Sequence, residues 1–511
     1  MPVSSVATAH VLRSPRTCRG VVIVLALQVA AMLALAATLG TWTDEEYSLG
    51  TTAHGTIYAF HRAIEYELQA PLYFVALAAL RVFSQSVFFA RALSVLCAVG
   101  FTYAMTLVER RIAPARNAWL FAALVAINPF TVFAALEIRL YAFALLLCAL
   151  CWLAFYDGYF AGHDRRSRFT FIALALVSLY TQYFIAFEFV GFAVGLAVMG
   201  RWRSLRAYML AASIVAVGFV PMLIVLHAQV SGAFAVRDMQ PPSFGSIFLH
   251  PLIDFVFPAP YRAVDGVLAH ISTLLRVCAI IAAVVVCRPR VGRLLSAYVA
   301  MVVTIYAIYV VLADGFKYEL IVPRHFVAIF VPELVAAYAI VMSFQAARRR
   351  GATALILVIY AAAAVASNAS MYPGIAKQGD WKRVGAYLAQ VARPGDTIAI
   401  YGADALPAFR RYYGGPAHVV PFPRVLPPDR YDVDAMFVHS VAEGEAALAR
   451  LPQTDRVWFV DYGVCDRFDL LGCNEAYAAI VRREEVLERK EFFRNLVLRL
   501  APKQHLSTGA R

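Results

Sequence analysis

Apolar positions in this chain fall into blocks of about twenty residues, divided by short polar stretches in which arginine recurs. The first block, Val21–Gly40, carries no charge. A run of that length crosses a hydrocarbon core about 30 Å thick as one helix. Arg13, Arg16 and Arg19 precede it, and no clear small-residue cleavage site follows. It therefore reads as a retained first span rather than a removed signal peptide. Further blocks follow at 91–108, 117–136, 141–156, 169–183, 184–200, 207–228, 266–287, 292–313, 324–345 and 351–367. The pattern predicts a polytopic α-helical membrane protein with about eleven transmembrane helices.

Arginine placement orients these spans. Clusters fall at the N-terminus, at Arg110, Arg111 and Arg116, at Arg165, Arg166 and Arg168, and at Arg201, Arg203 and Arg206. They recur at Arg288, Arg290 and Arg293 and at Arg348–Arg350, while the alternate loops carry few basic residues or none. This alternation predicts a cytoplasmic N-terminus and an external C-terminus. Pro71–Phe83 is apolar but only about a dozen residues long, which suits an interfacial or re-entrant helix. Counting it as a span would move Arg110 and Arg111 outside and spoil the pattern. We assign 41–90 to one long external loop containing that helix, and 229–265 to a second.

Beyond the transmembrane domain (1–367), the composition of 368–511 becomes mixed. Asp396–Tyr401, His418–Phe422 and Arg456–Tyr462 read as strands, and Ala405–Tyr413 as a helix. Strands alternating with helices predict a small extracytoplasmic α/β domain. It holds no glycine-rich phosphate motif, and no catalytic role is assigned to it. Cys465 and Cys473 are close together in a polar region. An oxidising compartment would permit a disulfide there, the alternative being two free thiols.

Composition agrees with the pattern: 61% of residues are hydrophobic and 15% charged, with a mean hydropathy of +0.66. The net charge of +13 does not indicate nucleic acid, because the arginines sit in the loops between spans. What remains unusual is the polar chemistry at the external face. Asp44, Glu45 and Glu46 emerge directly after the first span. At the same depth lie His54, His61, Arg62, Arg91, Glu137, Arg139, Tyr183, Lys317, Arg324 and His325. A carboxylate can take the proton of an attacking hydroxyl, and arginine can hold phosphate oxygens. Together they suit group transfer from a phosphate-activated, lipid-borne donor. A proton-coupled transporter would place its ionisable groups nearer mid-membrane, whereas the span interiors here are almost free of charge and the main candidates, Glu188 and Glu333, each fall near a span end.

In this order the motifs resemble the GT-C membrane glycosyltransferases. The likeness is to the protein-mannosyltransferase-like family, glycosyltransferase family 39, which includes the lipid A aminoarabinose transferases. The matching pieces are Asp44-Glu45 with Tyr47-Ser48, Pro71–Phe74, and Arg91-Ala92-Leu93-Ser94. They continue with Asn128-Pro129, Glu137–Tyr141, Tyr180–Tyr183, and Pro323-Arg324-His325 with Pro332. Two departures stand out: Ala70-Pro71 where the family commonly has a proline pair, and Gln182 where it has histidine.

The resemblance implies inverting transfer from a polyprenyl-phosphate sugar to a lipid, glycan or protein acceptor, at the outer face of a bacterial inner membrane. Asp44 would be the general base or an acceptor-orienting carboxylate, with Glu45 assisting it or contacting donor or metal. Arg91, Arg139 and Arg324 would hold the donor phosphate, with Tyr73, Tyr141 and His325 lining the site. Glu46 is expected to be solvated and Glu137 to pair with Arg139. The family leaves a divalent cation open, and the local carboxylates lack the ligand count of a dedicated cage. Two other functions compete: a flippase or transporter for lipid-linked sugars, and a non-catalytic assembly subunit.

Overall fold

The computed structural model describes residues 15–112, 118–233, 292–316, 325–346, 350–377, 379–427, 432, 435–452, 456–462 and 472–503. Six described helices are long and apolar enough to cross a membrane. They are formed by α1 (Pro15–Thr38), α5 (Val87–Ile112), α8 (Tyr141–Phe155) with the π-helical turn that continues it to Phe160, α11 (Trp202–Ala233), α12 (Gly292–Phe316) and α14 (Arg350–Met371) with the short turn that follows to Ile375. The predicted span at 117–136 is instead a pair, α6 (Ala118–Ile127) and α7 (Pro129–Leu136), bent by 61°. The break has a local cause. Asn128 caps α7 by accepting the Phe130 N–H at 2.8 Å, and Pro129 occupies the first helical turn, where it has no donor to lose.

Other apolar helices are shorter. They are α4 (Leu72–Arg81), α10 (Ala186–Val198, entered through a 3-10 turn at Tyr183–Ile185) and the Val327–Ala339 stretch of α13 (Val327–Ala346). The predicted span at 266–287 lies outside the described residues, as does most of the 229–265 loop.

The segment 41–90 folds into α2 (Thr43–Thr51), α3 (Thr56–Glu65) and α4. α4 has the predicted shortness, but it is packed into the protein rather than laid on its surface. Tyr73, Phe74, Leu77 and Ala78 are buried in the main core. Its first N–H donates to Tyr180 O at 3.0 Å, beyond the end of α9 (Arg165–Leu179). Its last residue, Arg81, donates to Leu49 O and Thr52 Oγ1 at the end of α2.

The chain leaves α14 at Met371, turns through left-handed Gly374 (φ 60°), and enters the C-terminal domain. That domain contains α15 (Trp381–Val391), β1 (Thr397–Tyr401), α16 (Leu406–Tyr412), β2 (His418–Phe422) and α17 (Val441–Ala449). It continues with β3 (Val457–Tyr462), α18 (Cys473–Arg483), β4 (Glu484–Phe492) and β5 (Asn495–Pro502). The strand order is β2-β1-β3-β5-β4, parallel among the first three and antiparallel across β3-β5-β4. Alternation along β1 divides the core. Ile398 and Ile400 pack with Trp381 and Phe409 of α15 and α16, while Ala399 and Tyr401 pack with the α17 and α18 side. Cys473 is disulfide-bonded, and Cys465 lies outside the described residues.

The contact of α15 with α16 matters for the site, because α16 docks on α2. Gly385 makes that contact close: a Cβ there would fall 2.8 Å from the backbone carbon of Tyr412. Backbone cannot swing aside as a side-chain tip can. Gly385→Ala is expected to destabilise the protein by about 1–3 kcal/mol, as overpacking does. A thermal melt of the detergent-solubilised protein reads this, and an unchanged midpoint would refute the close contact.

Candidate active site

Four residues separate the end of the first span from α2, whose first turn carries Asp44, Glu45 and Glu46. Carboxylates are favoured there because the helix N-terminus carries a partial positive charge. Successive helical residues step round by about 100°, so three neighbours face three environments. The structure separates the trio accordingly.

Glu45 points inward and is completely buried. It accepts Arg91 Nε at 3.0 Å on Oε1 and Arg91 Nη2 at 2.7 Å on Oε2. Lys377 Nζ lies 2.9 Å from the same Oε1, and the Ile138 N–H donates to it at 3.0 Å. Burial opposes ionisation of this carboxyl, but the charges of Arg91 and Lys377 outweigh it and hold the group below the usual range.

Arg91 spends its other N–H groups on the end of α1. It donates to Ala36 O at 3.1 Å, Leu39 O at 2.7 Å and Gly40 O at 2.5 Å. A guanidinium has five N–H donors, and these contacts use all of them. Arg91 therefore caps the first span and pairs with Glu45, in place of the donor-phosphate role expected from the sequence.

Glu137 likewise differs from expectation. It faces Lys377 at 2.8 Å and accepts the Trp42 indole N–H, rather than pairing with Arg139. Burial pushes its carboxyl up to about 7; Lys377 pulls the other way and the charge of Glu45 adds to the rise. Lys377 has three donors and three acceptors: Glu45, Glu137 and Leu136 O at 2.6 Å. This lysine comes from the link between the last span and the C-terminal domain, yet only 2% of its side chain is exposed.

Glu46, expected to be solvated, is 8% exposed and is gripped through both oxygens by Arg411 of α16. The next residue, Tyr412, accepts the Thr41 N–H at 2.7 Å. The C-terminal domain thus holds the start of α2 from above.

Asp44 is the half-buried member of the trio. Its charge acts on Arg139 and on Asp404 of the C-terminal domain. Arg139 lies in the corner between α7 and α8, 3.0 Å from Glu67 Oε2, 3.3 Å from Ser48 Oγ and 3.4 Å from Asp44 O. Its Nε is buried without a hydrogen-bond partner. Glu67 is steadied by Thr51 at 2.8 Å. Tyr66 completes this wall, with Arg62 stacked 3.9 Å over its ring and Tyr47 5.8 Å away. Asp404 is 9% exposed; burial raises its carboxyl to about 7, against nearby backbone N–H groups, and Asp44 adds to the rise.

Tyr73 and Tyr141 are both buried within electrostatic reach of Arg139. Tyr183 bonds Gln229 at 3.1 Å, which in turn donates to Ile64 O and so ties α11 to α3. His325 lies against Phe184, with ring centroids 5.1 Å apart and the planes tilted by 47°, beside a separate aromatic cluster. Arg324 and Lys317 lie outside the described residues. Among the described residues, no three His, Cys, Asp or Glu side chains converge as a metal site requires.

Sequence reasoning missed Glu67, Lys377, Asp404 and Arg411. Lys377 carried at most a faint signal, as a lysine ten residues beyond the last apolar block. The others carried none.

The fold is of the GT-C type, a helical membrane domain followed by a small sheet domain. It is similar to ArnT from Cupriavidus metallidurans. The crystal structure of that protein bound to undecaprenyl phosphate superposes with a TM-score of 0.50 and 14% identity, covering 94% of this chain and 97% of that one. The apo crystal structure of the same protein gives 0.40, with the same identity and coverage. No protein-family model and no curated protein sequence matches the chain.

Two measurements probe the buried groups. Lys377→Met would strand Glu45 and Glu137 without a shared counter-charge, and should cost about 3–5 kcal/mol in a denaturant or thermal unfolding series. Adding Glu137→Gln should recover part of the loss; no recovery would refute the pairing. For Asp404 the sign follows from its raised value. Its contribution to stability is complete below about 4, the ordinary aspartate range, and is lost as pH rises through about 7. The thermal midpoint of Asp404→Asn should therefore gain on the parent between pH 4.5 and 7.5. A constant gap would contradict the assignment.

Proposed function

We propose that this protein is an inverting glycosyltransferase that uses a polyprenyl-phosphate sugar at the outer face of a bacterial inner membrane. The observation that carries the reading is Asp44, a half-buried carboxylate at the end of the first span, beside Arg139 with its unpartnered, buried Nε. The GT-C fold supports it, and so does the undecaprenyl phosphate bound by the similar ArnT. The arginine clusters of the sequence support a cytoplasmic N-terminus and an external C-terminal domain.

In the proposed step, Asp44 accepts the proton of an acceptor hydroxyl as its oxygen attacks the anomeric carbon from the face opposite the phosphate. The bond from that carbon to the phosphate oxygen breaks, and polyprenyl phosphate leaves with both electrons. Arg139 stabilises the charge that develops on the leaving group. Glu45 and Arg91 act at one remove, by fixing the helix that carries Asp44. Tyr73 and Tyr141 line the floor near Arg139. Arg324 and His325 remain candidates for the donor side. The acceptor is a lipid, a glycan or a protein.

The test uses purified full-length protein, undecaprenyl phosphate as the binding probe, and mass spectrometry of envelope glycans from a deletion strain to define the product. Asp44→Asn should bind undecaprenyl phosphate as the parent does, while product formation falls about 100-fold or more, the scale of a lost general base. Undiminished transfer with impaired translocation of a lipid-linked sugar would establish the flippase reading instead.

A further inference from the structure

Where the first span meets the C-terminal domain, the junction leaves a cavity of about 250 Å³. Its span side is the end of α1, from Ala36 to Gly40, with Val87 and Phe88 at the start of α5. Its domain side is Lys382 of α15 with Arg411 and Tyr412 of α16. Gly40 sits between those two helices: a Cβ built there would lie 3.6 Å from Lys382 Cβ and 3.6 Å from Tyr412 Oη. A second cavity, of about 410 Å³, shares Thr38, Gly40 and Lys382 with the first. Neither is lined by Asp44 or Arg139.

The two sides of the first cavity differ in chemistry. No carboxylate lines it, and its domain side carries two cations. Arg411 spends Nε and Nη2 on Glu46, and among the described residues its Nη1 makes no hydrogen bond. Lys382 has three donors and one partner, Thr38 O at 3.4 Å. A lysine at a membrane surface ordinarily extends into water. This one is turned back over the end of the span. The opposite side is apolar and continues into the bilayer. Leu27, Ala30, Ala34 and Ala37 are exposed along one face of α1. Phe88 is 43% exposed, and Phe83, in the turn before α5, is 82% exposed. Apolar side chains left open beside a span belong in hydrocarbon.

We propose that this junction binds one anionic phospholipid, its phosphate held by Lys382 Nζ and Arg411 Nη1 and its acyl chains laid along the exposed face of α1. Cations with donors to spare suit phosphate oxygens, and an apolar wall that runs on into the membrane suits the chains. A free phosphate would use only the first feature, and a lipid without net charge would use mainly the second. The site stands apart from Asp44 and does not depend on the glycosyltransferase reading. Its occupant would bridge α1 to α15 and α16, adding to the ties that Arg411 makes to Glu46 and Tyr412 to Thr41.

The experiment titrates purified full-length protein in detergent with phosphatidylglycerol, with phosphatidylcholine of the same chain length, and with inorganic phosphate. Occupancy is read by native mass spectrometry and stability by thermal midpoint. One phosphatidylglycerol should bind and raise the midpoint in step with its concentration, while the other two probes do so weakly or not at all. Lys382→Gln should weaken phosphatidylglycerol binding about fivefold, the scale of one basic residue near an anionic surface, and Lys382→Glu should weaken it further. Ala37→Trp fills the cavity from the span side without changing a charge, and should abolish the midpoint rise. Phosphatidylglycerol binding that survives unchanged in Lys382→Glu and Ala37→Trp overturns the proposal. An equal response to phosphatidylcholine removes the anionic headgroup from it, and an equal response to inorganic phosphate removes the lipid; either result overturns it. Displacement of phosphatidylglycerol by equimolar undecaprenyl phosphate overturns it too, since the cavity would then belong to the donor. Lys382 is exposed, so its two variants decide if Ala37→Trp fails to fold.

Discussion

Two carboxylates and two cations, Glu45, Glu137, Arg91 and Lys377, meet in the interior where the first span ends. None is more than 3% exposed at its side chain. Removing such groups from water costs several kcal/mol each, and pairing returns that cost only when geometry is good and the remaining donors are satisfied. Here they are: the five N–H groups of Arg91 and the three of Lys377 all reach oxygen. A cluster of this kind is weak evidence for stability and stronger evidence for a fixed arrangement. Its members come from α2, from α5, from the corner after α7, and from the link into the C-terminal domain. No single segment can shift without breaking a buried pair.

The same cluster explains how one helical turn serves two purposes. Glu45 faces inward and anchors α2, while Glu46 faces the C-terminal domain and takes Arg411. Asp44, between these contacts and the α7–α8 corner, stays half-buried. A three-carboxylate run at a membrane surface would ordinarily be solvated and mobile. Two of the three are bidentate partners of arginine, so the third inherits a fixed backbone at no cost to its own contacts.

Several of the spans and the parallel strands were legible because each follows from a local period; of about eleven spans expected, six described helices are long and apolar enough to cross a membrane. His418–Phe422 has its expected bounds, and β1 and β3 begin one residue later than expected. The β4–β5 hairpin was not legible, since Glu484–Phe492 reads Glu-Glu-Val-Leu-Glu-Arg-Lys-Glu-Phe. As the edge strand of the sheet, paired only with β5, it can carry charge on much of its surface. The site was half legible for a related reason. That a carboxylate run after the first span belongs with Glu137 and Arg139 could be inferred from order and depth. Which cation each carboxylate meets could not, because Glu46 and Arg411 stand 365 positions apart. Arg91 was misjudged on the same ground: a lone arginine at a span end looks available until the carbonyls of α1 are seen around it.

A carboxylate proposed as a base at a membrane surface faces a particular difficulty. It must be dry enough to act on a hydroxyl without competing water, yet charged, which dry surroundings resist. Burying the charge wholly, as for Glu45, demands a full set of cationic partners and leaves no room for a substrate. Leaving it in water gives up orientation. Asp44 lies between these limits because the walls around it carry their own compensation: Arg139 is balanced by Glu67, and Arg62 is stacked on Tyr66. The C-terminal domain closes the remaining side through α16. Catalytic groups must be held to about 0.5 Å, and a loop from a separate domain achieves that only if its docking is fixed nearby. Arg411 on Glu46 and Tyr412 on Thr41 fix it within one helical turn of Asp44. The C-terminal domain, which carries no recognisable catalytic motif, is thereby part of the wall that holds Asp44 in place.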